Sequence, residues 1–351
     1  MLNIDCPPLA AVLAPDKRLA LYGAGGCGAG VHAWLSQRGI APVAVLDARG
    51  EGEAFGLAVR APEAAVELEL DAVLIGSMYG REMNATLRAA GYQGPVLDLS
   101  ALHVERWHGH FDHAFLDAQA DAIAAARAEL ADEPSRARFD ALVAYRRTLD
   151  NSVLPEPTEQ YRPRDVRLEP GECVLDVGGF DGDSAVDYAR ELGEGARVHA
   201  FEPMESNFRE LEARLARDPV GAQVTPWRLA AWNERTTLAL SSDEPHPMQF
   251  RVHPEGDTRV PALPLDDWAS ENAIERVDWI KMDVEGAERE ALEGAARTIA
   301  AQRCKLAISL YHRPDDLWFL IRQMRSLRPD APLYVEHHSQ NLYESVCYAG
   351  R

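Results

Sequence analysis

Asp176-Val-Gly178-Gly179-Phe-Asp181-Gly182-Asp183-Ser184 follows an apolar run, Cys173 to Val177, and leads into a segment of helical spacing. A glycine-rich turn between strand and helix lets the backbone approach a ligand closely, as in nucleotide-binding βα turns. Here three aspartates surround the glycines, where a pyrophosphate-binding loop presents bare amides. Such a loop repels a dianionic pyrophosphate and tolerates a ligand carrying ammonium and sulfonium cations, which points to S-adenosylmethionine rather than NAD. The same residues also have a purely structural reading, with Asp183 or Ser184 capping the helix and Gly178 making a tight turn.

Moving outward, the next apolar run, Arg197 to Phe201, ends at Glu202, twenty residues past Gly182. An acid at that position can accept both ribose hydroxyls of an adenosine. Further strand-like runs follow at Gln223 to Leu229, Trp279 to Asp283, Lys305 to Tyr311, Leu333 to His337 and Ser345 to Tyr348. Seven strands separated by helices predict a seven-stranded α/β domain of Rossmann-like type over residues 166–351. The Pro-, His- and Asp-rich stretch Ser241 to Pro261 reads as a loop that could cover an acceptor site.

These stretches resemble the FkbM-type methyltransferases. The likeness rests on Asp176 to Ser184, Phe201-Glu-Pro-Met-Glu-Ser-Asn-Phe208, Leu265-Asp-Asp-Trp268, Trp279-Ile-Lys-Met-Asp283-Val-Glu285-Gly286-Ala-Glu288, Leu310-Tyr-His312-Arg-Pro-Asp-Asp-Leu-Trp318 and Glu336-His337-His338-Ser339. It covers residue 140 or so to the C-terminus. It implies S-adenosylmethionine-dependent methyl transfer to a hydroxyl of a sugar, a polysaccharide precursor or another natural-product scaffold. By that likeness and by position, Asp176, Gly178, Gly179, Asp181, Gly182 and Ser184 hold the methionine end. Glu202 takes the ribose, with Asn207 supporting its turn. Ala231 and Trp232 border the adenine, Trp232 either as a stacking face or as core.

Methyl transfer to oxygen needs an oriented nucleophile and a group that takes its proton. Asp283, ending the fourth strand, and His312, just past the fifth, both belong at the carboxyl ends of strands where open α/β sheets bind ligands. His312 is the candidate base, with capping or support as its alternative. Asp283 is the candidate contact to the methionine amine or to the acceptor hydroxyl. Asp283, Glu285, His312 and one of His337 and His338 could be drawn into a metal cluster, but their spacing carries no metal signature and no metal is expected.

Before this domain, Gly23-Ala-Gly25-Gly-Cys-Gly28 links a short strand to a helix, and Asp47 lies 19 residues past Gly28. That is a dinucleotide fingerprint on an uncharged loop. Only four strands are evident by residue 103, so residues 1–103 read as a small Rossmann-like parallel-sheet domain of nucleotide-binding type. Residues 104–165, rich in Ala, Arg and Glu, read as a helical connector. His103, His108, His110 and His113 lie close together at its start and could hold a metal, with solvated loop and helix surface as the alternative reading. The rival functions are therefore an NAD-dependent oxidoreductase or a nucleotide-sugar-binding protein that uses the first domain.

Composition narrows the partners. The chain has 351 residues and a net charge of −20, which disfavours nucleic acid and anionic membranes as partners. Five scattered cysteines without a CxxC pair, an N-terminus without a cationic and apolar leader, and no long apolar run predict a reduced, cytoplasmic protein. The expected partner is a small-molecule or saccharide acceptor, and homo-oligomer formation is left open.

Overall fold

The computed structural model describes residues 4–14, 16–243 and 246–351, with the side chains of 242–250 outside the description. Three sheets organise the chain. The first contains β1 (Leu19–Tyr22), β2 (Ala44–Leu46), β3 (Glu53–Ala54), β4 (Leu57–Arg60), β5 (Ala72–Ile75) and β6 (Val96–Asp98). It is ordered β3-β4-β2-β1-β5-β6, all parallel except β3. The two strands beyond the four expected are the edge hairpin β3–β4. It turns through Phe55 and Gly56 with φ of +57° and +75°, as a two-residue hairpin requires. So short an element with one buried residue, Val59, gives no apolar run to detect.

After β6 the chain forms a 3-10 turn (Glu105–Phe111) and helices His113–Ala118, Ala120–Ala128 and Glu133–Thr148. The helical connector expected over 104–165 is thus several short helices, with a break at Gln119. The last of these helices starts where Asp132 accepts the Ser135 amide at 2.9 Å and stops where Leu149 turns left-handed.

The second sheet is β7 (Cys173–Val177), β8 (Arg197–Phe201), β9 (Val224–Trp227), β14 (Trp279–Met282), β15 (Lys305–Ser309), β16 (Leu333–His337) and β17 (Ser345–Ala349). Its order is β16-β17-β15-β14-β7-β8-β9, with β17 antiparallel between two neighbours. Between β9 and β14 lies a third sheet of β10 (Ala230–Ala231), β11 (Thr236–Asp243), β12 (His246–Val252) and β13 (Thr258–Leu263). Of the stretch Ser241–Pro261, expected to be loop, residues 244 and 245 lie outside the described residues, and the others belong mostly to the antiparallel pair β11–β12 and to β13.

Strand alternation gives each large sheet two faces. Leu19, Leu21 and Leu74 from the first sheet and Leu175, Ile280, Met282, Leu306 and Ile308 from the second belong to one continuous buried cluster. Trp107, Phe111, Phe139 and Tyr145 of the intervening helices and Trp318 and Ile321 of the helix Asp316–Leu327 fill the space between. The intervening helices are therefore a packing layer between sheets. The opposite faces carry separate clusters, around Tyr22 and Ile75 and around Trp279 and Tyr348.

Candidate active site

The carboxyl ends of β7, β8, β14 and β15 surround a cavity of about 620 Å³. That is within the range of small-molecule sites. Gly178 ends β7 with φ +84°, and a Cβ there would lie 1.8 Å from the Asp283 carbonyl oxygen. Two strand ends thus meet so closely that only glycine fits. Gly182 (φ +87°) opens the helix Asp183–Leu192. Glu285 is also left-handed, with φ +54°, and Gly286 follows at +98°. That turn holds the Glu285 carboxylate inside the cavity at the cost of a backbone conformation rare outside glycine.

Of the expected site residues, Gly178, Ser184, Glu202, Asn207, Ala231 and Asp283 line the cavity. Glu202 is nearly buried. Its Oε1 accepts from the Met204 amide at 2.9 Å and from Asn207 Nδ2 at 3.4 Å, and its Oε2 accepts from the Phe180 amide at 3.2 Å. Burial nevertheless pushes it up to about 7. Asp283 Oδ2 accepts from the Tyr161 hydroxyl at 2.8 Å, and Oδ1 accepts from the Tyr311 hydroxyl at 3.3 Å.

The loop's acids are placed differently from expectation. Asp176 is fully buried and does not reach the cavity. Lys281 Nζ stands 3.0 Å from its Oδ1, and Ser184 Oγ donates to its Oδ2 at 2.7 Å. Asp181 is paired with Arg214, whose Nε also donates to the Asp181 carbonyl at 2.9 Å. Gly179 packs against Ala200 and Leu211, and Gly182 against Leu211. Only Asp183 of the three aspartates faces the cavity, and burial raises its pKa. The cavity is acidic all the same, through Glu159, Asp187, Glu202, Asp283, Glu285 and Glu344 as well as Asp183. Its basic side chains, Lys281 and Arg162, are both already in ion pairs. Trp232 lies outside, packed against the cluster of Met204, Leu238 and Leu240, which corrects the stacking reading.

His312 sits behind Asp283 and lines a neighbouring hollow of about 260 Å³ that shares Val252 and Glu285 with the main cavity. Its Nδ1 is 2.9 Å from Glu288 Oε1, and its Nε2 is 3.4 Å from Asp283 Oδ1 and 3.8 Å from Glu285 Oε2. Burial opposes its charging, yet Glu288, Glu285 and Asp283 together push it up to about 10. So placed among three carboxylates, and unless a bound cation offsets them, His312 favours its charged form and is poorly suited to act as the base. His337 and His338 both lie off the cavity. His337 Nδ1 meets Ser345 Oγ at 3.0 Å, and burial pushes it down to about 3. His338 Nε2 meets the Tyr348 hydroxyl at 2.9 Å, and that hydroxyl accepts the Tyr161 amide at 3.0 Å.

Sequence reasoning missed Tyr161, Gln160 and Glu344, which roof the cavity. Gln160 and Tyr161 come from a proline-studded stretch that carries no motif. Glu344 bonds Gln160, and burial followed by the Asp283 charge pushes it up to about 7. Tyr311 stood in plain sight beside His312. His110, for which solvated surface was one reading, is fully buried, its Nε2 2.9 Å from the Tyr311 carbonyl oxygen.

In the first sheet, Gly23 and Gly28 serve packing. A Cβ on Gly28 would lie 1.9 Å from the Gly23 carbonyl oxygen. Asp47 accepts from the Ala24 amide at 3.0 Å and is ion-paired with Arg49. Gly25 stands clear of neighbours. Neither cavity described above includes any of these residues.

The second sheet is doubly wound with a reversed strand beside its fifth, and it carries an acidic cavity at the carboxyl ends of its strands. Residues 176–335 match the methyltransferase FkbM domain. The crystal structure of methyltransferase FkbM from Methylobacillus flagellatus KT is similar over 98% of this chain and 92% of that one, with a TM-score of 0.72 and 24% identity. That likeness extends the shared fold to the first sheet. Fibrillarin from Aeropyrum pernix, solved with S-adenosyl-L-methionine, is similar over 52% of this chain and 67% of that one, at 13% identity and a TM-score of 0.35. No curated protein matches the chain. Among the described residues no helix is long and apolar enough to cross a membrane.

Proposed function

We propose that the protein methylates a hydroxyl of a sugar, a polysaccharide precursor or another natural-product scaffold. The observation that carries this reading is the Asp283 carboxylate, held by two tyrosine hydroxyls on the wall of an acidic cavity. The residues fit the cofactor. Carboxylates outnumber bases in the cavity, and both bases are occupied by ion pairs, so its field favours a cationic ligand. When bound, S-adenosylmethionine supplies a sulfonium methyl group to an acceptor oxygen.

Glu202 takes the ribose hydroxyls with the lone pairs its three amide contacts leave free. Met204, Leu229 and Ala231 offer the apolar slot for adenine, and Gly178, Asp183 and Ser184 border the methionine end. Asp283 orients the acceptor hydroxyl and draws its proton, the part first assigned to His312. Tyr161 and Tyr311 fix that carboxylate, so they are positioning residues.

S-adenosylhomocysteine at about a hundred times its dissociation constant adds about 2.7 kcal/mol to stability. It is expected to raise Tm in a thermal-shift assay, while NADH and a UDP-sugar leave Tm unchanged. A shift with NADH alone overturns the assignment. A mass gain of one methyl group across a saccharide panel then identifies the acceptor.

Glu202 also gives the binding a pH dependence. Its carboxylate, raised to about 7, is mostly protonated at pH 6 and mostly ionised at pH 8. If the ionised form binds the ribose, S-adenosylhomocysteine affinity rises about tenfold over that interval. Glu202→Gln flattens the profile. Glu344→Gln separates the contribution of the neighbouring carboxyl, and a profile unchanged by Glu202→Gln removes Glu202 from the ribose site.

A further inference from the structure

We propose that Asp283, Glu285, Glu288 and His312 form a divalent-cation site at the junction of the two cavities. Ligand atoms of Asp283, Glu288 and His312 lie within 4.8 Å of one another. The inference does not rest on proximity of acids alone. Glu288 Oε2 is buried without a hydrogen-bond partner, and two further buried atoms are only loosely met, His312 Nε2 by Asp283 Oδ1 at 3.4 Å and Glu285 Oε2 by Arg106 Nη2 at 3.7 Å. The His312 side chain is 3% exposed and that of Glu288 is 0% exposed. Buried polar atoms are almost always satisfied, so three under-satisfied atoms around one histidine point to a missing partner.

The ring divides the cluster. On its Nε2 side stand Asp283 Oδ1 at 3.4 Å and Glu285 Oε2 at 3.8 Å, and both carboxylates open to the main cavity. On its Nδ1 side stands Glu288 Oε1, which also accepts the Val284 amide at 2.8 Å. An octahedral ion with bonds of about 2.1 Å spaces adjacent ligand atoms by about 3.0 Å, so a small closure of the Nε2 side forms a two-carboxylate, one-imidazole set. Glu288 then receives the Nδ1 proton and fixes the tautomer, as outer carboxylates commonly do for metal-bound histidines. Oxygen ligands suit Mg²⁺ and Mn²⁺, and the imidazole tilts the set toward a first-row ion. Positions left open face both cavities, where an acceptor hydroxyl could bind and lose its proton more readily.

This site deepens the methyltransferase reading and rests on it only for its role; cation binding itself is tested without any acceptor. The full chain, stripped with EDTA, is titrated with Mn²⁺ and followed by the loss of the free-ion EPR signal. One ion per chain with micromolar affinity is expected. Glu288→Gln should weaken it by about 10–100-fold, the usual effect of removing an outer-shell partner. Glu285→Gln, at a partly exposed position, should also weaken it while an unchanged circular-dichroism spectrum and cooperative melt show the variant to be folded. No binding up to about 1 mM Mn²⁺, or equal binding by wild type and Glu285→Gln, overturns the site. If S-adenosylhomocysteine binds and Mn²⁺ does not, the cation site falls and the methyltransferase reading stands.

Discussion

Alanine at position 178 should abolish cofactor binding. The added Cβ would stand 1.8 Å from the Asp283 carbonyl oxygen and 2.8 Å from its carbon, and backbone cannot yield as a side-chain tip can. A left-handed alanine costs about 1–2 kcal/mol by itself. The larger effect is geometric, because relief requires β7 and the turn after β14 to separate, and these carry Asp283, Glu285 and the glycine loop. We expect S-adenosylhomocysteine affinity, measured by calorimetry, to fall by at least about a hundredfold, or about 2.7 kcal/mol, together with a lower Tm. Gly193 is the control. It is also left-handed, at φ +74°, but has nothing within 4 Å of its Cβ position, so Gly193→Ala should cost only conformational strain and leave binding intact. Binding within threefold of wild type in Gly178→Ala would show that the two strand ends are not rigidly apposed.

Removing Lys281 should be the most destabilising single change near the site. Its Nζ lies 3.0 Å from Asp176 Oδ1 and donates to the Gly178 carbonyl at 2.6 Å, with both charged side chains almost fully buried. Burial opposes the lysine charge, but Asp176 and then Asp283 hold its pKa above the ordinary value. Lys281→Met leaves a carboxylate buried without its counter-charge, a change that typically costs about 3–5 kcal/mol. Urea denaturation should show that loss, and Asp176→Asn in the same chain should recover part of it as a double-mutant coupling. A loss below about 1 kcal/mol would mean that solvent reaches Asp176 and compensates it.

How much of this was legible follows from the range of each signal. The seven strands of the second sheet stood out because strands buried on both faces are continuous apolar runs. The β7 turn and Glu202 were legible because spacing along one βαβ unit fixes them. The partners of Asp176 and Asp181 were not, because Lys281 and Arg214 reach them from other elements. The acidity inferred from the loop holds for the cavity as a whole, but it comes from Asp187, Glu285 and Glu344 more than from the loop. His312 was read as the base from its place past the fifth strand, but the three carboxylates that favour its charged form come from another segment of the chain. Glu288 lies two residues past Gly286 and is separated from His312 by two helices and β15, a juxtaposition that no linear pattern announces.

The buried cluster that runs unbroken from Leu19 and Leu74 through Phe139 to Ile308 and Trp318 has a consequence for how the molecule comes apart. A boundary drawn on sequence suggests that the catalytic sheet could be cut free. The packing means that such a cut would strip the covering from one whole face of that sheet, leaving it prone to aggregate. Melting should then be a single cooperative event for the chain, and a substitution beneath the first sheet would be felt as a change in the working lifetime of the enzyme rather than in its chemistry.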